Sequence, residues 1–147
     1  MRSHLRATAV VAAVLALDQV SKIAVRAEVE PGSRDRLLPG VDLVNVRNTG
    51  VAFSLFKDSG AVLVVFTIAA MIAVLVFFLR RPDRRGAWLP TGLLLGGATG
   101  NLIDRLRDGG VTDFIDLPRW PAFNLADTAI TIGVVVLIFV LERAGDG

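Results

Sequence analysis

The chain has 147 residues, of which 53% are hydrophobic, and its mean hydropathy is +0.60. This composition is too apolar for a typical water-soluble domain and indicates an integral membrane protein with a single domain, residues 1–147. The formal charge of +2 is small, and the basic residues lie at the ends of apolar segments, so nucleic-acid binding has no support.

The lack of cysteine and the single histidine exclude thiolate nucleophiles, zinc–sulfur sites and histidine-based constellations. Acid–base chemistry therefore falls to carboxylates. We expect neither a metal nor an organic cofactor.

The first apolar run, residues 5–25, follows Arg2 and Arg6. A basic start before an apolar stretch is also typical of a secretory signal peptide, but three further apolar runs favour a membrane span. Asp18 and Lys22 lie four residues apart near the far end of this run. They could form a helical ion pair that reaches the membrane interface, or they could support a functional site, and the local sequence leaves both open.

Residues 26–59 are mixed in charge and contain several Pro-Gly turn signals. Two short runs rich in Val and Phe, residues 42–46 and 51–56, have strand character and predict a small β element outside the membrane. Asn48 lies between these runs. Locally it is interpreted as a turn residue, because Asn and Gly tolerate left-handed backbone conformations.

The second apolar run, residues 60–79, contains no charge and has about the 20 residues that span a bilayer core. It ends in an arginine-rich turn, residues 80–85. The positive-inside rule places this turn in the cytoplasm, together with Arg2 and Arg6. The β element between the two spans is therefore predicted to be extracytoplasmic.

The third apolar run, residues 87–104, contains Gly92, Gly96 and Gly100 at a spacing of four. In a membrane helix this spacing predicts the close approach of a neighbouring helix. Asn101 follows directly and is carried to the outer end of the span.

Glycine and proline in residues 108–121 argue against a continuous helix and predict an outer loop. The fourth apolar run, residues 122–141, carries Asn124 and Asp127 near its outer end. The predicted fold is an all-α integral membrane protein with four transmembrane helices, both termini in the cytoplasm, and a small extracytoplasmic β element between spans 1 and 2.

Polar side chains are predicted to gather at one depth, near the outer surface. Ionisable groups at membrane depth are costly and mark a functional site by default. Two carboxylates in a low-dielectric cleft would share one proton, and such a pair suits peptide hydrolysis. The ionised member takes a proton from the attacking water, while the protonated member polarises the scissile carbonyl.

Other interpretations of these carboxylates remain. Asp104, Asp108 and Asp116 could be ion-paired surface residues. Asp116 lies three residues after Asp113 and could be its partner in the carboxylate pair, but it is a weaker candidate than Asp127 because it lies in a proline-flanked loop with no apolar run around it. At the level of function, the alternative is a small proton- or cation-coupled transporter, which predicts carboxylates near the bilayer midplane and often internal repeats.

Five segments in order resemble the lipoprotein signal peptidases (signal peptidase II), and the resemblance covers nearly the whole chain. The segments are Asp18-Gln19-Val20-Ser21-Lys22, residues 48–54 (NTGVAFS), residues 97–105 (GATGNLIDR), Val111-Thr112-Asp113-Phe114 and Phe123-Asn124-Leu125-Ala126-Asp127.

This resemblance implies that Asp113 and Asp127 are the catalytic pair of an aspartic endopeptidase. It also implies a set of residues that line the site and position the substrate, Asn48, Asn101, Arg105 and Asn124, and two supporting polar residues, Asp18 and Asp104.

The resemblance further implies the substrate, a bacterial prolipoprotein whose signal peptide is cut just before a diacylglyceryl-modified cysteine. The expected location is the bacterial cytoplasmic (inner) membrane, with the active site near its extracytoplasmic face. The expected partners are this substrate and membrane lipids, and the expected state is a monomer.

Overall fold

The structure is a computed structural model and describes residues 2–50, 59–81 and 84–142. The predicted strand over residues 51–56 lies outside these ranges. Within them the elements are α1 (Arg2–Glu28), β1 (Arg34–Leu38), β2 (Val41–Asn48), α2 (Ser59–Arg80), α3 (Trp88–Asp108), β3 (Val111–Leu117), β4 (Trp120–Phe123) and α4 (Leu125–Glu142).

Helix α3 is the centre of the bundle and packs against α1, α2 and α4. At one end of the bundle, Ala7 of α1, Phe78 of α2 and Ala87 beside the start of α3 form a buried apolar cluster, with Val140 of α4 packed against it. The start of α1 thus lies beside the end of α2, the start of α3 and the end of α4. The β-sheet lies at the opposite end.

Three helices of the described part are long and apolar enough to cross a membrane: α1, residues Ala61–Arg80 of α2, and α4. Their large apolar side chains point outward, as in Phe66, which is 73% exposed, and Phe139, which is 59% exposed. The predicted spans 5–25, 60–79 and 122–141 correspond to these helices. The fourth begins later than predicted because Phe123 belongs to a strand.

The third predicted span, residues 87–104, corresponds to α3. This helix extends to Asp108, and its second half carries four charged residues. It is not among the three helices whose length and composition suit a membrane span. The glycine stripe packs as predicted: a Cβ at Gly92 would lie 2.6 Å from Cβ of Val10, and one at Gly96 would lie 2.9 Å from Cβ of Val14. Only hydrogen atoms fit between α3 and α1.

The interior of the bundle is polar at the end near the sheet. The largest fully buried side chains include Lys22, Asn124, Asp18, Asp104 and Asp113. Because buried polar groups cost free energy unless they are hydrogen-bonded, this cluster must satisfy itself internally.

The sheet has four antiparallel strands in the order β1-β2-β3-β4. Strand β2 includes the predicted run 42–46. The β1–β2 hairpin turns at Gly40, whose φ of +80° favours glycine.

The prediction of an outer loop over residues 108–121 was wrong, because this segment contributes β3 and the start of β4. The fold is therefore mostly helical, and its sheet is larger than predicted, because it combines two strands between α1 and α2 with two strands between α3 and α4. Two of the residues that suggested a loop only bound the strand. Gly109 ends α3 with a left-handed φ of +69°, and Pro118 follows the seven-residue strand β3.

The sheet is fixed to the helices by an apolar cluster. Val25 and Val29 at the end of α1 pack against Phe114 of β3, and Leu43, Ile115 and Leu125 pack against this cluster. Since neighbouring residues of a strand point to opposite faces, Asp113 points away from Phe114.

We expect Gly97→Ala to destabilise the fold by about 1–3 kcal/mol, because overpacking forces the backbone to shift. A Cβ at Gly97 would lie 2.5 Å from the backbone oxygen of Ala126 on α4, and a backbone atom cannot move aside cheaply. The measurement is the thermal unfolding midpoint in detergent. The control is Gly110→Ala, whose Cβ would first meet the flexible Arg47 side chain at 3.0 Å. Equal midpoints for wild type and Gly97→Ala would contradict the close contact of α3 with α4.

Candidate active site

The start of α4 holds Asn124 and Asp127 in a reciprocal arrangement. Oδ1 of Asn124 accepts a hydrogen bond from the backbone N–H of Asp127 at 2.9 Å, and Oδ2 of Asp127 accepts one from the backbone N–H of Asn124 at 3.3 Å. This is a capping box, which satisfies backbone donors that the first turn of a helix leaves unpaired. It fixes the Asp127 carboxylate and leaves the NH₂ group of Asn124 free for other partners.

Asp113 on β3 accepts hydrogen bonds from two amides. Nδ2 of Asn124 donates to its Oδ1 at 2.6 Å, and Nδ2 of Asn48 donates to its Oδ2 at 2.9 Å. Asn48 ends β2 directly opposite Val111, so Asp113 is its diagonal neighbour on the same face of the sheet. The Oδ1 atom of Asn48 also accepts from the N–H of Gly50 at 2.9 Å. Asn48 therefore both shapes the turn and contacts the carboxylate.

Asn101 on α3 connects this arrangement to Asp127. Its Nδ2 donates to Oδ1 of Asp127 at 2.8 Å, and its Oδ1 accepts from Nδ2 of Asn124 at 3.3 Å. Asn124 thus contacts both carboxylates, one through its side chain and the other through its backbone. The predicted site residues Asn48, Asn101, Asp113, Asn124 and Asp127 come together in one hydrogen-bonded group.

The two carboxylates differ in environment. Asp113 is 2% exposed, and burial raises its pKa from 3.8 to about 6. The nearby charge of Asp127 also raises the pKa of Asp113, whereas hydrogen bonds from Asn48 and Asn124 and the positive charge of Lys22 lower it. Asp127 is partly exposed.

A cavity of about 260 Å³ reaches Asp127 from the space between α2, α3 and α4. Its polar lining consists of Thr67, Asn101, Arg105 and Asp127, and most of its remaining wall is apolar. Arg105 is partly buried, and its guanidinium is within 4 Å of no carboxylate in the described ranges. The cavity can hold an apolar ligand segment whose polar group meets Asp127.

Lys22 is the site residue that the sequence analysis did not select. It is 0% exposed, and its Nζ lies 2.9 Å from Oδ2 of Asp18, 3.1 Å from Oδ2 of Asp104 and 2.9 Å from Oδ1 of Asn101. The pair of Asp18 and Lys22 exists and is fully buried inside the bundle. Of the two alternatives that the local sequence left open, the ion pair that reaches the membrane interface is therefore excluded. A signal was present in the sequence, because residues 23–25 continue the apolar run beyond Lys22.

Asp18 and Asp104 also bind backbone amides of other elements. Oδ1 of Asp18 accepts from the N–H of Ala126 at 3.0 Å, and Oδ2 of Asp104 accepts from the N–H of Thr112 at 3.3 Å. The interpretation of Asp104 as an ion-paired surface residue was therefore wrong, since it is 0% exposed. Gln19, another residue that the sequence analysis did not select, donates to both carboxylates at 3.1 Å.

Two further acidic residues, Asp108 and Asp116, form ion pairs with arginines outside this hydrogen-bonded group. Asp108 lies 2.8 Å from Arg107, and Asp116 lies 2.7 Å from Arg34. The pairing of Asp116 with Arg34 is consistent with its being a weaker candidate than Asp127 for the carboxylate pair. In the described ranges, no group of three His, Cys, Asp or Glu side chains is arranged to hold a metal ion.

Known proteins share these features of sequence and fold. A family model described as signal peptidase (SPase) II matches residues 10–142. The lipoprotein signal peptidase of Moorella thermoacetica is 44% identical over 133 residues, which cover 87% of this chain and 87% of that protein. That of Pelotomaculum thermopropionicum is 40% identical over 139 residues, covering 93% and 91%. A solved bacterial membrane enzyme, determined by the in meso method at 1.9 Å resolution, has a TM-score of 0.82 and 30% identity, covering 92% of this chain and 91% of that one.

We expect the raised pKa of Asp113 to make the stability of the protein depend on pH. The folded state holds the proton to about pH 6 and the unfolded state only to about pH 4, so rising pH lowers stability across this window. The stability of wild type relative to Asp113→Asn should fall by about 2 kcal/mol between pH 4 and pH 7.

The measurement is the free energy of unfolding in detergent at several pH values. The control is Asp116→Asn, which removes a carboxylate of the same strand that is paired with Arg34. A difference between wild type and Asp113→Asn that stays constant from pH 4 to pH 7 would contradict the effect of burial on Asp113.

Proposed function

The chain belongs to the signal peptidase II family, and we propose that it removes the signal peptide from diacylglyceryl-modified bacterial prolipoproteins by cutting before the lipidated cysteine. It is then an intramembrane aspartic endopeptidase of one domain, residues 1–147. The observation that carries this proposal is the contact of Asn124 with both carboxylates, at 2.6 Å to Oδ1 of Asp113 and 3.3 Å to Oδ2 of Asp127.

Asp113 and Asp127 are the proposed catalytic pair, and their different environments assign each a role, one as general acid and the other as general base. Asp113, which is buried and has a raised pKa, holds the proton and donates a hydrogen bond to the scissile carbonyl oxygen. Asp127 lines the cavity at the N-terminus of α4, where the helix dipole favours a negative charge, and it takes a proton from the attacking water. The proton on Asp113 then passes to the leaving nitrogen.

The surrounding polar residues position the two carboxylates and the substrate. Asn48 and Asn124 hold the oxygens of Asp113, and Asn101 holds Oδ1 of Asp127. Arg105 lines the same cavity as Asp127, so its guanidinium is available to donate to a backbone carbonyl of the bound peptide.

The apolar wall of the cavity suits the signal peptide. Phe66, Ala70 and Met71 of α2 and Ile130 of α4 line it beside the polar group of Asp127. A substrate anchored in the membrane by acyl chains and an apolar helix can enter between α2 and α4 without leaving the hydrocarbon layer. The exposed apolar side chains of α1, α2 and α4 face the membrane lipids.

In the proposed topology, α3 also crosses the membrane, in addition to α1, α2 and α4, and these three helices enclose it. Arg80, Arg81, Arg84 and Arg85 lie at the end of the bundle away from the sheet, and the positive-inside rule places that end in the cytoplasm. Helix α1 then starts and α4 ends on the cytoplasmic side. The sheet and the carboxylates lie at the extracytoplasmic face, and the protein acts as a monomer.

We expect Asp113→Asn and Asp127→Asn each to lower cleavage of a diacylglyceryl-modified prolipoprotein by about a hundredfold to ten-thousandfold, the range for loss of general acid–base catalysis. The assay separates precursor from cleaved product by electrophoresis, using purified protein whose folding has been checked by its thermal unfolding midpoint.

The matched control is Asp116→Asn, which removes a carboxylate three residues from Asp113 and costs an ion pair with Arg34, whose side chain is exposed. It should keep activity near that of wild type. Near-normal cleavage by either Asp113→Asn or Asp127→Asn would overturn the catalytic pair. Absence of cleavage by the wild type would overturn the proposed substrate.

A further inference from the structure

Lys22 contacts neither carboxylate of the proposed catalytic pair, but its ammonium contacts Asn101, whose amide donates to Asp127. Its three neighbours are Oδ2 of Asp18 at 2.9 Å, Oδ2 of Asp104 at 3.1 Å and Oδ1 of Asn101 at 2.9 Å. An ammonium has three N–H donors and no acceptor; that of Lys22 forms hydrogen bonds with Asp18 and Asn101, and its charge pairs with Asp104.

The contact with Asn101 decides which way the amide of that residue points. Lys22 and Nδ2 of Asn124 both donate to Oδ1 of Asn101, at 2.9 Å and 3.3 Å. If the amide were rotated by half a turn, its NH₂ group would face these two donors and its oxygen would face the carboxylate of Asp127. Only the observed orientation, with Nδ2 donating to Asp127 at 2.8 Å, satisfies every group.

The two aspartates that hold Lys22 are themselves fixed beside the catalytic pair. Asp18 accepts from the backbone N–H of Ala126, the residue before Asp127. Asp104 accepts from the backbone N–H of Thr112, the residue before Asp113. The ammonium is therefore held in place by groups that belong to the same rigid cluster as both carboxylates.

We propose that Lys22 is a positioning residue for the catalytic pair: its buried ammonium sets the orientation of the Asn101 amide, and that amide sets the position of the Asp127 carboxylate. This inference rests on the proposed function. It assigns to Lys22 a role in the chemical step, since the cavity that would receive the substrate is not lined by this residue.

The test is Lys22→Met, which keeps an unbranched apolar side chain but removes the donors. We expect kcat to fall about tenfold to a hundredfold, because small displacements of a catalytic group cost rate on this scale, with KM unchanged. In an Asn101→Ala background, where no amide remains to be oriented, Lys22→Met should lower kcat much less. Arg34→Met, which removes an exposed cation from the edge of the sheet, is the control and should keep the wild-type kcat.

Lys22→Met also leaves two buried carboxylates without their cation, so a second variant separates positioning from charge balance. Lys22→Met combined with Asp18→Asn restores the formal charge of the cluster but not the donor to Asn101. We expect this double variant to fold, as measured by its thermal unfolding midpoint, and to keep the loss of kcat.

Three results would overturn the proposal: a wild-type kcat in folded Lys22→Met, recovery of kcat in the double variant, or failure of both variants to fold, which would make Lys22 a folding residue only. These results differ from a failure of the proposed function. In that case wild type would not cleave the prolipoprotein, or Asp113→Asn would still cleave it.

Discussion

The structure depends on one constraint: polar groups enclosed by apolar helices must find all their partners within the protein. Lys22, Asp18 and Asp104 meet this requirement together, because the ammonium neutralises part of the carboxylate charge and the remaining oxygens accept from backbone amides of α4 and β3. Removing Lys22 leaves both carboxylates without their cation, and removing either aspartate leaves a backbone N–H without its acceptor. The cluster therefore fixes the end of the bundle where the sheet and the helices meet.

The small residues of α3 make this cluster possible. A short aspartate side chain on α1 can reach the first turn of α4 only if α3, which lies between them, comes close to both. Gly100 leaves the room that Asp18 occupies, and Gly97 lets the backbone of α4 approach at Ala126. The glycines that lower the hydropathy of α3 are the same residues that let polar groups from three helices meet, and the surrounding helices shield α3.

The sequence predicted the helices and most residues of the candidate site, because apolar runs and polar residues within them are local signals. It did not predict β3, since Gly109 and Pro118 were interpreted as parts of a loop although they only bound a strand. It left the role of Lys22 open, since local spacing shows that Asp18 is its neighbour but not that Asp104 and Asn101 of another helix contact it. Asn48 remained ambiguous because its contact with Asp113 depends on strand register, which follows from long-range pairing.

The division of labour within the proposed pair also depends on long-range structure. The two carboxylates share Asn124 as a neighbour, but Asp113 lies in the buried half of β3, an inner strand of the sheet, whereas Asp127 lies in the first turn of a helix and faces the cavity. Burial favours the neutral form of a carboxyl group and raises the pKa of Asp113. In the proposed mechanism the two aspartates therefore take different tasks, because the fold buries the one that donates a proton and turns the other towards the cavity that receives the substrate.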